Sequence, residues 1–221
     1  MGMFDFKAAR AFMVEGQIRT NDVTDPRITG AMFELERERF VPASLKTLAY
    51  SDKQIPVSEG SQRLMPAPIV TARLIRTADI KASDYVLHIG CSTGYGTAIL
   101  AKIANSVVAL EEDAGLAKAA SENLSALGIN NVAVVTGPLA KGYPAEGPYD
   151  VIVIEGAIET LPDTLSNQLK EDGRLVSIIG TGRTGRGTLF RKTPKGLSGF
   201  PFFDAAAPLL PGFVKPPAFT F

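Results

Sequence analysis

Gly90, Gly94 and Gly96 close the run Val86-Leu87-His88-Ile89-Gly90-Cys91-Ser92-Thr93-Gly94-Tyr95-Gly96, where an apolar stretch breaks into a tight turn before an alanine-rich segment. Strand, glycine turn and helix start together let backbone approach a ligand closely, with the helix N–H groups facing it. Glu111 ends the next apolar run, about 20 residues beyond Gly90, where an acid accepts hydrogen bonds from ribose hydroxyls. Gly137-Pro138-Leu139 closes the third run, where a base edge would lie. The register of these three points predicts a fold that holds a nucleoside-bearing cofactor.

Other residues near these points carry two readings each. His88 either faces the cofactor or is a buried strand histidine satisfied by backbone. Cys91 is either a reactive thiol at a helix start or a small packed residue. Glu112 and Asp113 are alternatives to Glu111, or solvated neighbours. Glu155, at the end of the fourth apolar run, either lines the site or is a surface carboxylate. The stretch Gly182-Arg183-Thr184-Gly185-Arg186-Gly187 is either an anion-binding loop or a hairpin turn. Phe213, Phe219 and Phe221 in the tail are expected to pack on the sheet or on a partner chain.

The elements that must position these groups follow from periodicity. Residues 6–20 read as a helix with Phe12, Met13 and Ile18 inward. Thr24-Asp25-Pro26 starts a second helix over 28–40, with Ile28, Met32, Leu35 and Phe33 at helical spacing, stopped by Val41-Pro42. Residues 49–68 read as irregular, and 69–78 as helix. Strands at 84–90, 107–111, 132–136, 150–155 and 174–179 then alternate with helices at 94–104, 114–127 and 161–170. Stretches at 188–193 and 198–203 close the sheet as a hairpin. This alternation predicts an α/β fold with a doubly wound, mostly parallel sheet, a C-terminal β-hairpin and an N-terminal helical extension. The expected division is an extension with an active-site loop over 1–68, and a Rossmann-like unit over 69–221 that packs with it.

Composition narrows the function classes. Lys+Arg and Asp+Glu are 23 each in 221 residues, so the formal net charge is zero and no strong nucleic-acid signal is present. One cysteine and one histidine exclude an intrachain disulfide, a histidine-based triad and a multi-histidine metal site. No apolar stretch is long enough to span a bilayer and no signal peptide opens the chain, so a cytoplasmic protein is expected. Phe6 stands where a myristoylation signal needs Ser or Thr.

The spacing Gly90-x3-Gly94-x-Gly96 also suits short-chain nicotinamide dehydrogenases. About 85 residues precede the loop here, and no tyrosine is followed by a lysine four residues later, so S-adenosylmethionine is the better fit. Residues 10–180 resemble protein-L-isoaspartate O-methyltransferases. The resemblance is carried by Met13-Val14-Glu15-x-Gln17-Ile18-Arg19, by Asp25-Pro26-Arg27-Ile28 with Ala31-Met32, and by Arg39-Phe40-Val41-Pro42. Ala49-Tyr50-x-Asp52 with Ile55-Pro56-Val57, Pro148-Tyr149-Asp150-Val151-Ile152, Gln168-Leu169-Lys170 and Gly173-Arg174-Leu175-Val176 continue it. It implies a class I methyltransferase-like fold that uses S-adenosylmethionine, yields S-adenosylhomocysteine, and esterifies isoaspartyl carboxylates of a damaged protein or peptide substrate. The acceptor carboxylate is itself the nucleophile, so no catalytic base is expected. The cofactor-lining set so implied is Leu64, His88, Gly90, Cys91, Ser92, Gly94, Glu111, Glu112, Gly137, Pro138, Leu139 and Glu155.

The chain also departs from that family. Its Thr-Ile-Ser-x-Pro segment places a serine at the active site, whereas here the position falls on Pro66, or on Met65 with a one-residue shift. His88 replaces an acid, Ser92 a glycine, and Pro138 an aspartate. A second reading follows: a catalytically silent or substrate-switched member that serves as a binding or interaction protein. An Asn/Asp-Pro-Pro-aromatic end to the fourth strand, common in nucleic-acid amino methyltransferases, is replaced by Glu155-Gly156-Ala157.

Overall fold

The computed structural model describes residues 4–60, 62–182 and 185–215. Arg183 and Thr184 of the glycine-rich turn, Pro216-Pro217 and the tail residues Phe219 and Phe221 lie outside them. The chain first forms α1 (Phe6–Met13), α2 (Pro26–Glu34), the short antiparallel pair β1 (Ile55–Pro56) and β2 (Leu64–Met65), and α3 (Pro68–Ala78). It then alternates through β3 (Tyr85–Ile89), α4 (Tyr95–Ile103), β4 (Ser106–Glu111), α5 (Ala114–Ala126) and β5 (Val132–Thr136). After these come β6 (Tyr149–Ile158), the single turn α6 (Asp163–Ser166), β7 (Leu169–Ile179) and the hairpin β8 (Arg186–Thr193) and β9 (Gly196–Asp204).

The large sheet has seven strands in the order β5-β4-β3-β6-β7-β8-β9. β3 to β7 run parallel, while β8 and β9 are antiparallel. From β3 the chain winds one way through β4 and β5, then crosses back to place β6 on the other side. The order therefore reverses between β3 and β6, where sheets of this kind bind ligands beyond the strands' carboxyl ends. β3, β4 and β6 are buried on both faces, which is why they read as unbroken apolar runs. Val86, Val107, Val151 and Val153 face a core shared with α1, α2, α3 and α4. Leu87, Ile89, Val108, Ile152 and Ile154 face a second core that includes Leu139, Leu165, Leu210 and Phe213.

Local chemistry fixes the helix starts. Asp25 caps α2, accepting from Arg27 N–H at 2.8 Å, with Pro26 at the first helical position. Asp113 caps α5, accepting from Gly115 and Leu116 N–H at 2.8 and 2.9 Å.

Four expectations need correction. The helix expected over 6–20 is regular only to Met13, then widens into a π turn at Val14–Ile18 and tightens into a 3-10 turn at Arg19–Asn21. Met13 and Ile18 are buried, but Phe12 is 76% exposed, one residue off the inward stripe. α2 stops at Glu34 because Leu35 is extended, which leaves Leu35 buried, Phe33 exposed and Arg37–Phe40 in a 3-10 turn. Residues 49–68 are not wholly irregular, since β1 and β2 pair there. Finally, the helix expected over 161–170 is one turn, because Leu169 is already paired with Tyr149 in the sheet.

Candidate functional site

The glycine turn hangs from β4. Gly90 and Cys91 N–H both donate to Leu110 O, at 2.9 and 3.2 Å, and Gly94 N–H closes the turn on Cys91 O at 2.9 Å. Gly90 and Gly94 sit at φ +78° and +99°, backbone that favours glycine. Ser92 adopts φ +54° despite its side chain, and its Oγ is buried without a hydrogen-bond partner. What holds Ser92 there is Glu111, whose Oε2 accepts the Ser92 N–H at 2.7 Å.

Glu111 is the hub of this cluster. Its side chain is 1% exposed, and its four contacts are all donors. Oε2 also takes Arg63 Nη2 at 2.8 Å, while Oε1 takes Glu112 and Asp113 N–H at 2.9 and 3.3 Å. Of the three acids considered at this position, Glu111 alone turns inward: Glu112 is exposed, and Asp113 is spent on the α5 cap. Gly137 N–H binds Glu111 O at 3.0 Å, bringing the third strand's end to the same place. Beside it Pro138 is exposed and Leu139 buried.

His88 and Glu155 meet behind the turn. His88 Nδ1 lies 2.8 Å from Thr97 Oγ1, and Nε2 lies 3.1 Å from Glu155 Oε2, off the line of a well-formed hydrogen bond. Glu155 Oε1 accepts from Thr71 Oγ1 at 2.6 Å. Both residues are buried, so Glu155 is not a surface carboxylate, and the histidine's partners are side chains rather than backbone. Gly96 follows from this arrangement: a Cβ there would overlap the Glu155 carboxylate. His88, which stands where the resemblance expects an acid, thus lies against the buried carboxylate of Glu155.

Cys91 is 1% exposed, and burial, followed by the neighbouring Glu111 and Glu155, pushes its thiol well above the ordinary range. A thiolate is disfavoured there, which supports the packed-residue reading. Leu64 is half-buried in β2, while Met65 and Pro66 are buried. Pro66 O accepts from Arg37 Nη2 at 2.6 Å, and Arg37 Nε donates to Ala49 O at 2.8 Å. The Arg37 guanidinium lies 4.4 Å from the centre of the Tyr95 ring, tying the 64–67 segment to the start of α4. Burial lowers its pKa from the ordinary arginine value. Among the described residues no group of three or more His, Cys, Asp or Glu could hold a metal ion.

Arg63, Arg37, Thr71 and Thr97 carry no sequence signal, because their partners lie nine to 84 positions away. Leu210 is a further unannounced neighbour. A Cβ on Gly90 would meet its methyls at 3.2 Å, and one on Gly156 its Cγ at 2.5 Å, so the side chain lies directly on both glycines. A cleft of about 340 Å³ adjoins the 64–67 segment, lined by Lys53, Ala67, Arg73 and Phe203 among others.

The reversed strand order, the glycine turn after β3 and the acid ending β4 are those of a class I methyltransferase. Comparison with known proteins narrows this. Residues 9–198 match the family model described as protein-L-isoaspartate(D-aspartate) O-methyltransferase (PCMT), and the chain belongs to that family. A protein-L-isoaspartate O-methyltransferase of Methanoculleus marisnigri is 39% identical over 171 residues, which is 77% of each chain. One of Rhodopseudomonas palustris is 39% identical over 168 residues, 76% of each. A solved protein-L-isoaspartate O-methyltransferase superposes with TM-score 0.80 at 27% identity, covering 92% of this chain and 66% of that one. A Plasmodium falciparum structure, titled as a complex with S-adenosyl-L-homocysteine, shares the fold at TM-score 0.75 and 20% identity, covering 93% of this chain and 97% of that one.

Proposed function

We propose that this chain transfers a methyl group from S-adenosylmethionine to the free carboxylate of isoaspartyl residues in damaged proteins, as a cytoplasmic repair enzyme. Family membership over residues 9–198 is the observation that carries this reading. The residues present suit the cofactor. Gly90 and Gly94 allow close backbone approach, Glu111 is the inward-turned carboxylate ending β4 where an acid would accept from ribose hydroxyls, and Gly137–Leu139 follow β5 where a base would lie.

The residues proposed to hold it are Gly90, Cys91, Ser92, Gly94, Glu111 and Gly137–Leu139, with Glu112 and Leu64 at the rim. His88 and Glu155 are proposed to act from behind, fixing α4 through Thr97 and α3 through Thr71. When bound, the cofactor would supply an electrophilic methyl on a sulfonium, which an acceptor carboxylate could take without prior deprotonation, with S-adenosylhomocysteine as the leaving group. The protein's work is therefore to align the acceptor and to exclude water. The cleft beside Ala67 is the proposed acceptor entrance, with Lys53 and Arg73 as its cations. Met65 and Pro66 bring no hydroxyl to this point, and Arg37 fixes the segment there through Pro66 O.

The test is transfer of labelled methyl from S-adenosylmethionine to an isoaspartyl peptide and to its aspartyl isomer. Base-labile ester on the first peptide alone, abolished in Glu111→Ala, is expected. No transfer to either peptide, with the wild-type chain folded, would overturn the proposal and leave the silent-member reading.

A further inference from the structure

We propose that the groove between α3 and the β8–β9 hairpin docks the acceptor polypeptide, and that it selects acidic residues about four positions away from the isoaspartyl residue. The inference rests on the acceptor reading above.

A second cleft, of about 640 Å³, lies on the α3 side of the sheet. Its walls include Arg76 of α3, Leu189 and Arg191 of β8, and Phe202 of β9, together with Asp25 and Asp79. It continues the acceptor entrance. Arg73, a cation of that entrance, and Arg76 stand one turn apart on α3. Phe203, also on the entrance wall, and Phe202 are consecutive on β9. Strand geometry brings these groups to one side. Leu189 and Phe203 pack into the core shared with α3, and Arg191, two residues beyond Leu189, shares that face. The pairing of β9 steps from Phe203 opposite Gly187 to Pro201 opposite Thr188, so Phe202 is the extra residue of a bulge. A bulge breaks the alternation of faces, which lets Phe202 line the cleft although its neighbour is buried on the same side.

The charges on these walls are unequally matched. Asp25 lies 2.6 Å from Arg27 Nη2, and Asp79 lies 2.6 Å from Lys81 Nζ. Arg76 and Arg191 are exposed, and neither guanidinium has a hydrogen bond or ion pair among the described residues. The Phe202 ring is 58% exposed. Two unneutralised guanidinium groups suit carboxylates, which they can bind through two parallel hydrogen bonds each. A small free anion would use the guanidinium groups and leave the ring uncovered. An extended polypeptide carrying acidic side chains covers both.

The spacing follows from the helix. α3 begins at Pro68, directly after the 64–67 segment, and Arg76 lies nine residues beyond Ala67. At about 1.5 Å per helical residue this is roughly 13 Å, the reach of about four residues of extended chain.

The experiment compares methylation of isoaspartyl peptides by the full chain. One peptide carries glutamates four and five positions before the isoaspartyl residue, a second carries them after it, and each has a glutamine control. One of the two glutamate peptides is expected to show a KM about fivefold or more below its control, with kcat unchanged and the advantage shrinking as salt is raised. Arg76→Gln/Arg191→Gln should erase the advantage and leave the glutamine control within about twofold of wild type. Arg76→Glu/Arg191→Glu should instead favour a lysine-flanked peptide. Glutamate peptides within about twofold of their controls in the wild type, or an advantage that survives in Arg76→Gln/Arg191→Gln, would overturn the docking site. Fluorescence anisotropy with the dye-labelled aspartyl forms of the same peptides reads docking without turnover. If the folded chain methylates none of the peptides, the proposed activity falls, and the same comparison by anisotropy decides the docking site alone.

Discussion

Replacing Glu111 by glutamine is the sharpest probe of how the site is held together without any ligand. The carboxylate accepts four donors: Ser92 N–H and Arg63 on one oxygen, Glu112 and Asp113 N–H on the other. Glutamine offers one acceptor oxygen and one NH2 group. Whichever way the amide turns, two donors then face an NH2 instead of an acceptor. Leaving a buried donor unsatisfied costs about 1–3 kcal/mol, and breaking a buried ion pair by removing one partner costs about 3–5 kcal/mol. Arg63 is 17% exposed, so water recovers part of its solvation, and a net loss of about 4 kcal/mol is expected. With a urea slope near 2.5 kcal/mol per molar, the unfolding midpoint falls by roughly 1.5 M. Arg63→Met alone leaves the carboxylate with its three amides and should cost about 1–2 kcal/mol. The double variant should be more stable than the sum of the singles implies, because the Arg63–Glu111 contact is then lost only once. Urea unfolding followed by circular dichroism measures all four proteins. A Glu111→Gln midpoint within about 0.3 M of wild type, or strict additivity with Arg63→Met, would refute the reasoning.

Further predictions follow from single contacts. Gly96→Ala drives a methyl into the Glu155 carboxylate, which Thr71 and His88 prevent from retreating, and should cost about 3 kcal/mol; Glu155→Ala in the same chain should restore much of it, as thermal unfolding would reveal. The Asp25 carboxyl is held below its usual range, first by the Arg27 side chain. Because its folded pKa is depressed, its contribution is complete above the unfolded value near 4 and is lost as pH falls through the folded value. The stability gap between wild type and Asp25→Ala, about 1 kcal/mol at pH 7, should therefore close in acid, and a gap unchanged at pH 2 would contradict this. Cys91 should resist a thiol-specific disulfide reagent in the native chain at pH 8 and react fully in denaturant, since burial raises its pKa and blocks access. Fast native labelling would show an open turn.

Local chemistry made part of this architecture legible in the sequence. β5 matches its expected span because Asn130-Asn131 and Gly137-Pro138 punctuate both ends. Asp25-Pro26 places the α2 start for the same reason. Misreadings occurred where a tertiary partner outweighed the local pattern: Tyr149 claims Leu169 for the sheet and cuts α6 to one turn, and the π turn after Met13 leaves Phe12 outside. In the candidate site, the turn at Gly90 and Gly94 and its neighbour Glu111 were readable because spacing along successive strands places them at adjacent strand ends. The companions of Glu111, His88 and Gly90 were not, since Arg63, Glu155 and Leu210 lie far along the chain and meet them only in the folded structure. His88 shows the limit well: its sequence neighbours give no hint of Glu155, 67 positions on, whose carboxylate lies 3.1 Å from its ring.

The most direct test of the account is a crystal structure of the full chain grown with S-adenosylhomocysteine. The expected result is ligand beyond the carboxyl ends of β3 and β4, against Gly90 and Gly94, with its ribose hydroxyls on Glu111. Ligand bound elsewhere, or no ligand in the folded chain at millimolar concentration, would contradict it.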